Sequence, residues 1–324
     1  MIDTIRIYSD EQDIINSFDI NCLEINQETV KQDKPTVISG MIGNLKVYYS
    51  TSRLTIMGSL TKYYFGNNIQ MLTRQEINKA IKKLEQRLDF SLDNFRISRL
   101  DIAANFEMNY SLSSYLDCLI EAKQYDPVIR KNSKDFINNL KTIKFYDKVE
   151  ESKKDKDSKE LILINGLSNK YILRYELQIK KRLKDVLKQI HYVKDLKDDK
   201  FIQKLLNLWK KEFHKIKKAK KVLNFEEVKT NSKKEIMEYF ALSYMELYGT
   251  DKSIKLFKKL EQSSQIGRNI YYSLKRKIDD KKNKFTYTDK YETELNNKID
   301  EFSKCYINNQ TSELNSFITH LIDK

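Results

Sequence analysis

Tyr146 lies in the stretch TIKFYDKVEE, with Lys144 two residues before it and Lys148 two residues after. Side chains alternate along a strand, so a strand here would carry the phenol and both ammonium groups on one face. A phenol has a pKa of about 10, and its attack on a phosphodiester needs an activated oxygen and an offset for the phosphate charge. Neighbouring lysines and a divalent ion supply both. The other reading of this stretch is amphipathic packing, because the chain has 20 tyrosines and an aromatic on a strand between lysines serves that purpose as well.

Two further stretches carry acids in a repeated setting. ISRLDIA, 97–103, sets Arg99 and Asp101 on one strand face, and LRYELQI, 173–179, does the same with Arg174 and Glu176. If the two strands are neighbours, two carboxylates converge, and such an oxygen-rich pair suits Mg²⁺ or Mn²⁺ rather than zinc. The arginines could pair with the acids or meet a phosphate; ordinary cross-strand ion pairs remain the other reading. The three histidines, His191, His214 and His320, sit in helical patterns without HxH or HExxH spacing, so no imidazole metal site is expected. No Walker loop, GxGxxG or GxSxG occurs, which leaves nucleotide hydrolysis, dinucleotide binding and serine-esterase chemistry without apparatus.

These residues must be positioned by a chain of 324 residues with 60 Lys and Arg against 46 Asp and Glu, a formal charge of +14. The surplus favours a polyanionic partner, nucleic acid first and anionic membrane second. Cys22, Cys118 and Cys305 are widely spaced, which suggests neither a disulfide framework nor a zinc knuckle. The N-terminus lacks an apolar signal region and no apolar run is long enough to cross a bilayer, so a cytoplasmic protein that does not enter membranes is expected.

The first part reads as mixed α and β. Residues 44–60 alternate around Thr51-Ser52 as a hairpin. Residues 73–90 open with a capping box, Thr73 and Glu76, and continue with Ile77, Ile81, Leu84 and Leu88 at helical spacing. A strand is predicted at about 94–107, a helix at 111–123, the strand of Tyr146 next, a charged solvated hairpin tip at 150–160, and a strand at about 170–180. Beyond 180 amphipathic helices dominate. The expected architecture is therefore α+β, an antiparallel-rich sheet with helices on one side over 1–180, followed by a mainly α-helical domain over 181–324 for DNA or partner contact. In the latter, KKEFHKIKKAKK, 210–221, contains Lys217, Lys218, Lys220 and Lys221; it suits sequence-blind phosphate contact or a solvated helix face.

The order of the blocks MID, SRLDIA, FYDKVE and LRYELQIK, together with GSLTKYYFGNN at 58–68, resembles the gene II and gene X replication proteins of filamentous phages and related phage and plasmid initiators. The resemblance covers about 1–180. It implies a rolling-circle initiator that nicks one strand of single-stranded or supercoiled origin DNA, keeps a 5′-phosphotyrosine link, leaves a 3′-OH for polymerase and religates the displaced strand. By the same resemblance Tyr146 is the nucleophile, Lys148 the cation beside the phosphate, and Asp101 and Glu176 the ligands of Mg²⁺ or Mn²⁺. Arg99, Lys144 and Arg174 would position DNA, and a host helicase would separate strands. Tyr63, Tyr64 and Phe65 are candidates for stacking bases, and Tyr171 or Tyr175 would be the next nucleophiles in line. A DNA-binding regulator with an inactive site, or a conjugative or mobilisation relaxase, would share many of these features.

Overall fold

The computed structural model describes residues 1–29, 36–154, 156–180, 183–219, 222–223, 232–234, 236–237, 240–241, 245, 250–281, 287–288 and 290–307. They form two compact units. The first comprises Met1–Leu112, Gln124–Lys215 and Lys298–Lys324, and the second Ser113–Lys123 and Ile216–Asn297. The division expected at 180/181 and these units do not coincide, because the helix Asp199–His214 belongs to the sheet unit.

Among the described residues, eleven strands precede residue 180: β1 Ile2–Ser9, β2 Glu24–Thr29, β3 Val37–Ile42, β4 Leu45–Ser50, β5 Arg53–Ser59, β6 Arg96–Met108, β7 Leu119–Ala122, β8 Asp126–Arg130, β9 Ser133–Ile137, β10 Lys141–Asp147 and β11 Tyr171–Ile179. All except β7 join one sheet in the order β2-β3-β4-β5-β1-β6-β11-β10-β9-β8. Every neighbouring pair is antiparallel. The architecture is α+β, as expected, and the hairpin β4–β5 turns at Thr51-Ser52.

Alternation gives the central strands two different faces. Phe106, Phe145 and Tyr175 point to one of them, where Phe145 stacks on Tyr175 at 4.8 Å and Tyr175 on Trp209 at 4.5 Å. Trp209 and Phe213 come from Asp199–His214, and Phe302 of the helix Lys290–Ile307 closes on Phe106 at 5.8 Å. Each of these rings is fully or almost fully buried, and burial of a large apolar side chain stabilises by about 1.5–3 kcal/mol. The opposite face is polar over the middle of the sheet. At its end a small core of Ile69, Val149, Ile162, Leu167 and Ile172 covers it.

Three local expectations change. The helix predicted at 111–123 stops at Cys118, and Leu119–Ala122 turns into β7, which pairs in the second unit with β12, Ile216–Lys218. The segment 150–160 is no hairpin tip but lies in two helices, Lys148–Ser152 and Lys156–Ile164. Val149 and Ile162 are buried beneath its charges, so apolar anchoring outweighs the solvated character of the intervening residues. Lys148 does not share a strand with Tyr146: the Asp147 carboxylate accepts from the Glu150 amide, ends the strand and caps a helix that begins at Lys148. The capping box of the helix Arg74–Leu88 forms as expected, with both Thr73–Glu76 hydrogen bonds present.

In the second unit, the Tyr115 hydroxyl bonds the Glu294 carboxylate and its ring packs against Tyr291 at 5.4 Å. The three cysteines are free thiols. No helix among the described residues is long and apolar enough to cross a membrane.

Candidate active site

Register assembles the site. β11 lies between β6 and β10, so Tyr146 faces Arg174 and Arg174 faces Asn105; in the next row Lys144 faces Glu176, and one row further Gln178 faces Asp101. Side chains opposite each other in a ladder share a face, which puts Tyr146, Arg174, Glu176, Asp101 and Asn105 together on the polar side. β1 adds Asp3. An irregularity in its pairing with β6 between Ile2 and Ile5 lets Asp3 and Arg6, an odd number of residues apart, both turn to this side.

Arg174 is the hub. Its guanidinium is 3% exposed and meets Asp3 at 2.9 Å, Glu176 at 3.3 Å, the Asn105 side-chain oxygen at 3.2 Å and the Asn68 carbonyl at 3.4 Å. Burial works against its charge, but Tyr146, Asp3 and Glu176 together raise its pKa. The Tyr146 hydroxyl donates to Glu176 Oε2 at 3.0 Å, and Gln178 donates to Glu176 Oε1 at 2.6 Å. Asp3 also accepts from Ser59 at 2.8 Å, the residue that caps the helix Leu60–Phe65. That helix ends at Gly66, whose φ of 78° suits a residue without Cβ, and the chain then delivers Asn68 to the site. Asp101 receives two bonds from Arg99, at 3.0 and 2.6 Å.

The electrostatics follow from burial. It pushes the Asp101 carboxyl up to about 7 despite Arg99, with Glu176 and Asp3 adding to the rise. Tyr146 is only partly buried as a residue, yet desolvation around its hydroxyl raises its pKa well above the usual phenol value, with Arg174 pulling the other way. Lys148 is buried, donates to Asn68 at 2.8 Å and Glu151 at 2.6 Å, and is pushed down to about 8 by burial and then by Arg174. It therefore flanks the site from a helix start instead of the strand. Lys144 stands 5.9 Å from the centre of the Tyr146 ring.

The acids can be weighed against a metal. Among the described residues no three His, Cys, Asp or Glu side chains are grouped to hold an ion. Asp101 and Glu176 are hard-oxygen donors of the kind Mg²⁺ takes, and each is already bonded, Asp101 by Arg99 and Glu176 by Tyr146, Arg174 and Gln178. The mutual repulsion of Asp3, Asp101 and Glu176 is what a cation there would relieve.

Other expected residues lie elsewhere. Lys217 is exposed, 4.0 Å from Glu121, whereas Lys218 is buried and donates to the Ile216 carbonyl at 3.3 Å. Lys218 is therefore not presented to a phosphate, because the short strand β12 turns it inward. Lys220 and Lys221 lie outside the described residues. Tyr63, Tyr64 and Phe65 are half-buried, and Tyr64 packs edge-on against Phe65 at 4.9 Å. Tyr175 belongs to the apolar face, its hydroxyl bonded to the Trp209 carbonyl at 2.8 Å. His191 pairs with Asp195 and stacks on Phe201, and His214 lies 3.4 Å from Asp300. Asp3, Asn68, Asn105 and Gln178 carry no spacing signature; Asp3, Asn68 and Gln178 lie in the blocks MID, GSLTKYYFGNN and LRYELQIK without being singled out there.

A family model described as the N-terminal part of a phage replication-associated protein, the gene II product, matches residues 1–199. The chain belongs to this family. The match spans every residue of the polar cluster, from Asp3 to Gln178, and ends as the helix Asp199–His214 begins. Membership in this group of filamentous-phage gene II-type proteins carries a role in replication initiation and, with it, binding of origin DNA. No curated protein and no solved structure matches the chain.

Proposed function

We propose that this replication protein cuts and rejoins one strand of its origin through Tyr146. The Tyr146 oxygen attacks the scissile phosphorus, the P–O3′ bond breaks, the 3′ oxygen leaves as a hydroxyl and the 5′ phosphate remains on the phenol. Rejoining is the reverse, with a 3′-OH attacking the phosphotyrosine. Two transesterifications conserve the bond energy, so the chemistry needs no nucleotide cofactor.

The observation that carries this reading is the 3.0 Å hydrogen bond from Tyr146 to Glu176. It gives the phenol proton an acceptor at the atom where deprotonation is needed, a distance within the range for general-base work. Arg174 lies against the same carboxylate and favours the phenolate that burial disfavours. Lys144 adds positive charge 5.9 Å from the ring centre, and Lys148 adds a second cation through Asn68, whose carbonyl meets Arg174. Asp101 and Glu176 would hold Mg²⁺ or Mn²⁺, which when bound would offset the phosphate charge. Arg99 would position the strand beside Asp101. Strand separation and extension of the 3′-OH would rest on a host helicase and polymerase.

The test is covalent capture on supercoiled DNA from the protein's own replicon with Mg²⁺, read as protein attached to a 5′ end on a denaturing gel. Tyr146→Phe removes one oxygen and keeps the ring, so the adduct should vanish while DNA affinity stays within about twofold. An adduct formed by Tyr146→Phe would overturn the assignment. Binding without cleavage by the wild type would make the protein a DNA-binding regulator.

A further inference from the structure

Beside the carboxylates the same sheet face opens into a cavity of about 810 Å³, lined by side chains of β1, β5 and β6 and by Lys180, Leu183, Lys184, Asp185 and Ile190. Its charge is one-sided. Arg6, Arg53, Arg96, Arg99, Lys180 and Lys184 line it, and Asp185 is the one acid among the lining residues. Register explains the concentration: Arg6 faces Arg99 and Met57, while Tyr8 faces Arg96 and Thr55. Arg96 and Arg99 are an odd number of residues apart and would point to opposite faces of a regular strand. The shift in pairing after Arg6 inserts one extra residue in β6, with the Ser98 hydroxyl on the Arg6 carbonyl at 3.1 Å, and turns both to one side.

The cations differ in what they already hold. Arg99 is committed to Asp101, and Arg53 to Asp10 while covering the Tyr8 ring at 4.4 Å. Arg6, Lys180 and Lys184 are exposed and have no side-chain partner among the described residues. A folded protein gains nothing from crowding unpaired cations in a concavity, where self-repulsion opposes the compact state, unless an anion is to occupy it. Arg99 belongs to both the cavity and the carboxylate cluster, so an occupant of one is continuous with the other.

We infer that this cavity is the track for the single strand that flanks the scissile phosphate, with Arg6, Lys180 and Lys184 contacting successive phosphates. The inference rests on the nicking function proposed above and names where the strand lies. Its volume is on the scale of small-ligand sites, about 300–1,000 Å³, which admits a few nucleotides of one strand. The cations identify backbone, not bases, so the contacts carry affinity without sequence choice.

The test uses full-length protein carrying Tyr146→Phe, so that binding is read without cleavage, and a labelled oligothymidine in fluorescence anisotropy. Arg6→Gln/Lys180→Gln/Lys184→Gln should weaken binding at least about tenfold at low salt. It should also make the slope of log K against log salt shallower by about 2, since each phosphate contact on a single strand contributes about 0.7. A charge-matched control, Lys79→Gln/Lys82→Gln/Lys200→Gln, changes exposed lysines outside the cavity and should leave the slope unchanged. An equal loss in both triples, or no change in the first, overturns the track. So does an equal loss for duplex and single strand in the first triple. In the background with Tyr146 intact, the cavity variant should need at least about tenfold more DNA for half-maximal adduct formation, and an unchanged half-maximal concentration overturns the track. A loss of binding in a protein whose wild type never forms an adduct would instead leave the track standing and remove the nicking reading.

Discussion

Arg174→Met takes a nearly fully buried cation from the centre of the polar face and leaves Asp3 and Glu176 without it. Removing one partner of a buried ion pair costs about 3–5 kcal/mol, because the remaining charge stays desolvated. The lower half of that range is expected here. Asp3 keeps its bond from Ser59, and Glu176 keeps those from Tyr146 and Gln178, so neither carboxylate is orphaned. Urea unfolding followed by circular dichroism measures the loss, with the slope against urea checked for constancy. Glu176→Gln should cost less in the Arg174→Met background than alone, a coupling of about 0.5–3 kcal/mol. A loss below about 1 kcal/mol, or no coupling to Glu176→Gln, would refute the picture of Arg174 as the hub.

Asp101→Asn should remove a pH dependence that the wild type has: with the carboxyl at about 7 in the folded state, wild-type stability falls as pH rises from about 4 to 7, by no more than about 1.4 kcal/mol per unit. Unfolding curves across that range should be flatter for the variant. Excess EDTA should stop adduct formation, and Mn²⁺ at raised concentration should restore part of it to Glu176→Gln but none to Tyr146→Phe, a contrast read on the same denaturing gel. Tyr175→Phe should cost about 1 kcal/mol for its lost bond to Trp209 and leave adduct yield unchanged; a strong loss of adduct with intact folding would mean the wrong tyrosine has been assigned.

The strands that carry Asp101, Tyr146 and Glu176 were legible because alternation survives in short windows such as ISRLDIA and LRYELQI. Their neighbourhood was not, since pairing between residues some seventy positions apart leaves no local trace. Asp3 and Asn105 depend on that pairing, and on a bulge that no composition announces. Lys148 was misplaced by one residue: two-residue spacing suggests a strand, but Asp147 is also a good helix cap, and the cap prevails. The segment 150–160 misled because its charges outnumber the few buried positions that decide its fold. Helical periodicity identified Phe201, Leu205 and Trp209, yet an amphipathic stripe does not say which core it covers, and here it is the sheet containing Tyr175.

Phe302 against Phe106, and the Tyr306 hydroxyl on the Leu72 carbonyl at 3.2 Å, impose an order of events during synthesis. The central sheet closes its apolar side with residues translated some two hundred positions later, a topology of high contact order that folds slowly. A ribosome adding about 5–20 residues per second leaves Asp3 waiting roughly 15–60 s for Tyr306. A nascent chain in that interval has its strands but not the lid on their greasy side, and a host chaperone has that long to hold them. The polar face proposed for nicking therefore sits on a sheet whose apolar side stays open until residues some two hundred positions further on have been made, so a chain halted before Phe302 lacks the packing that holds that face in place.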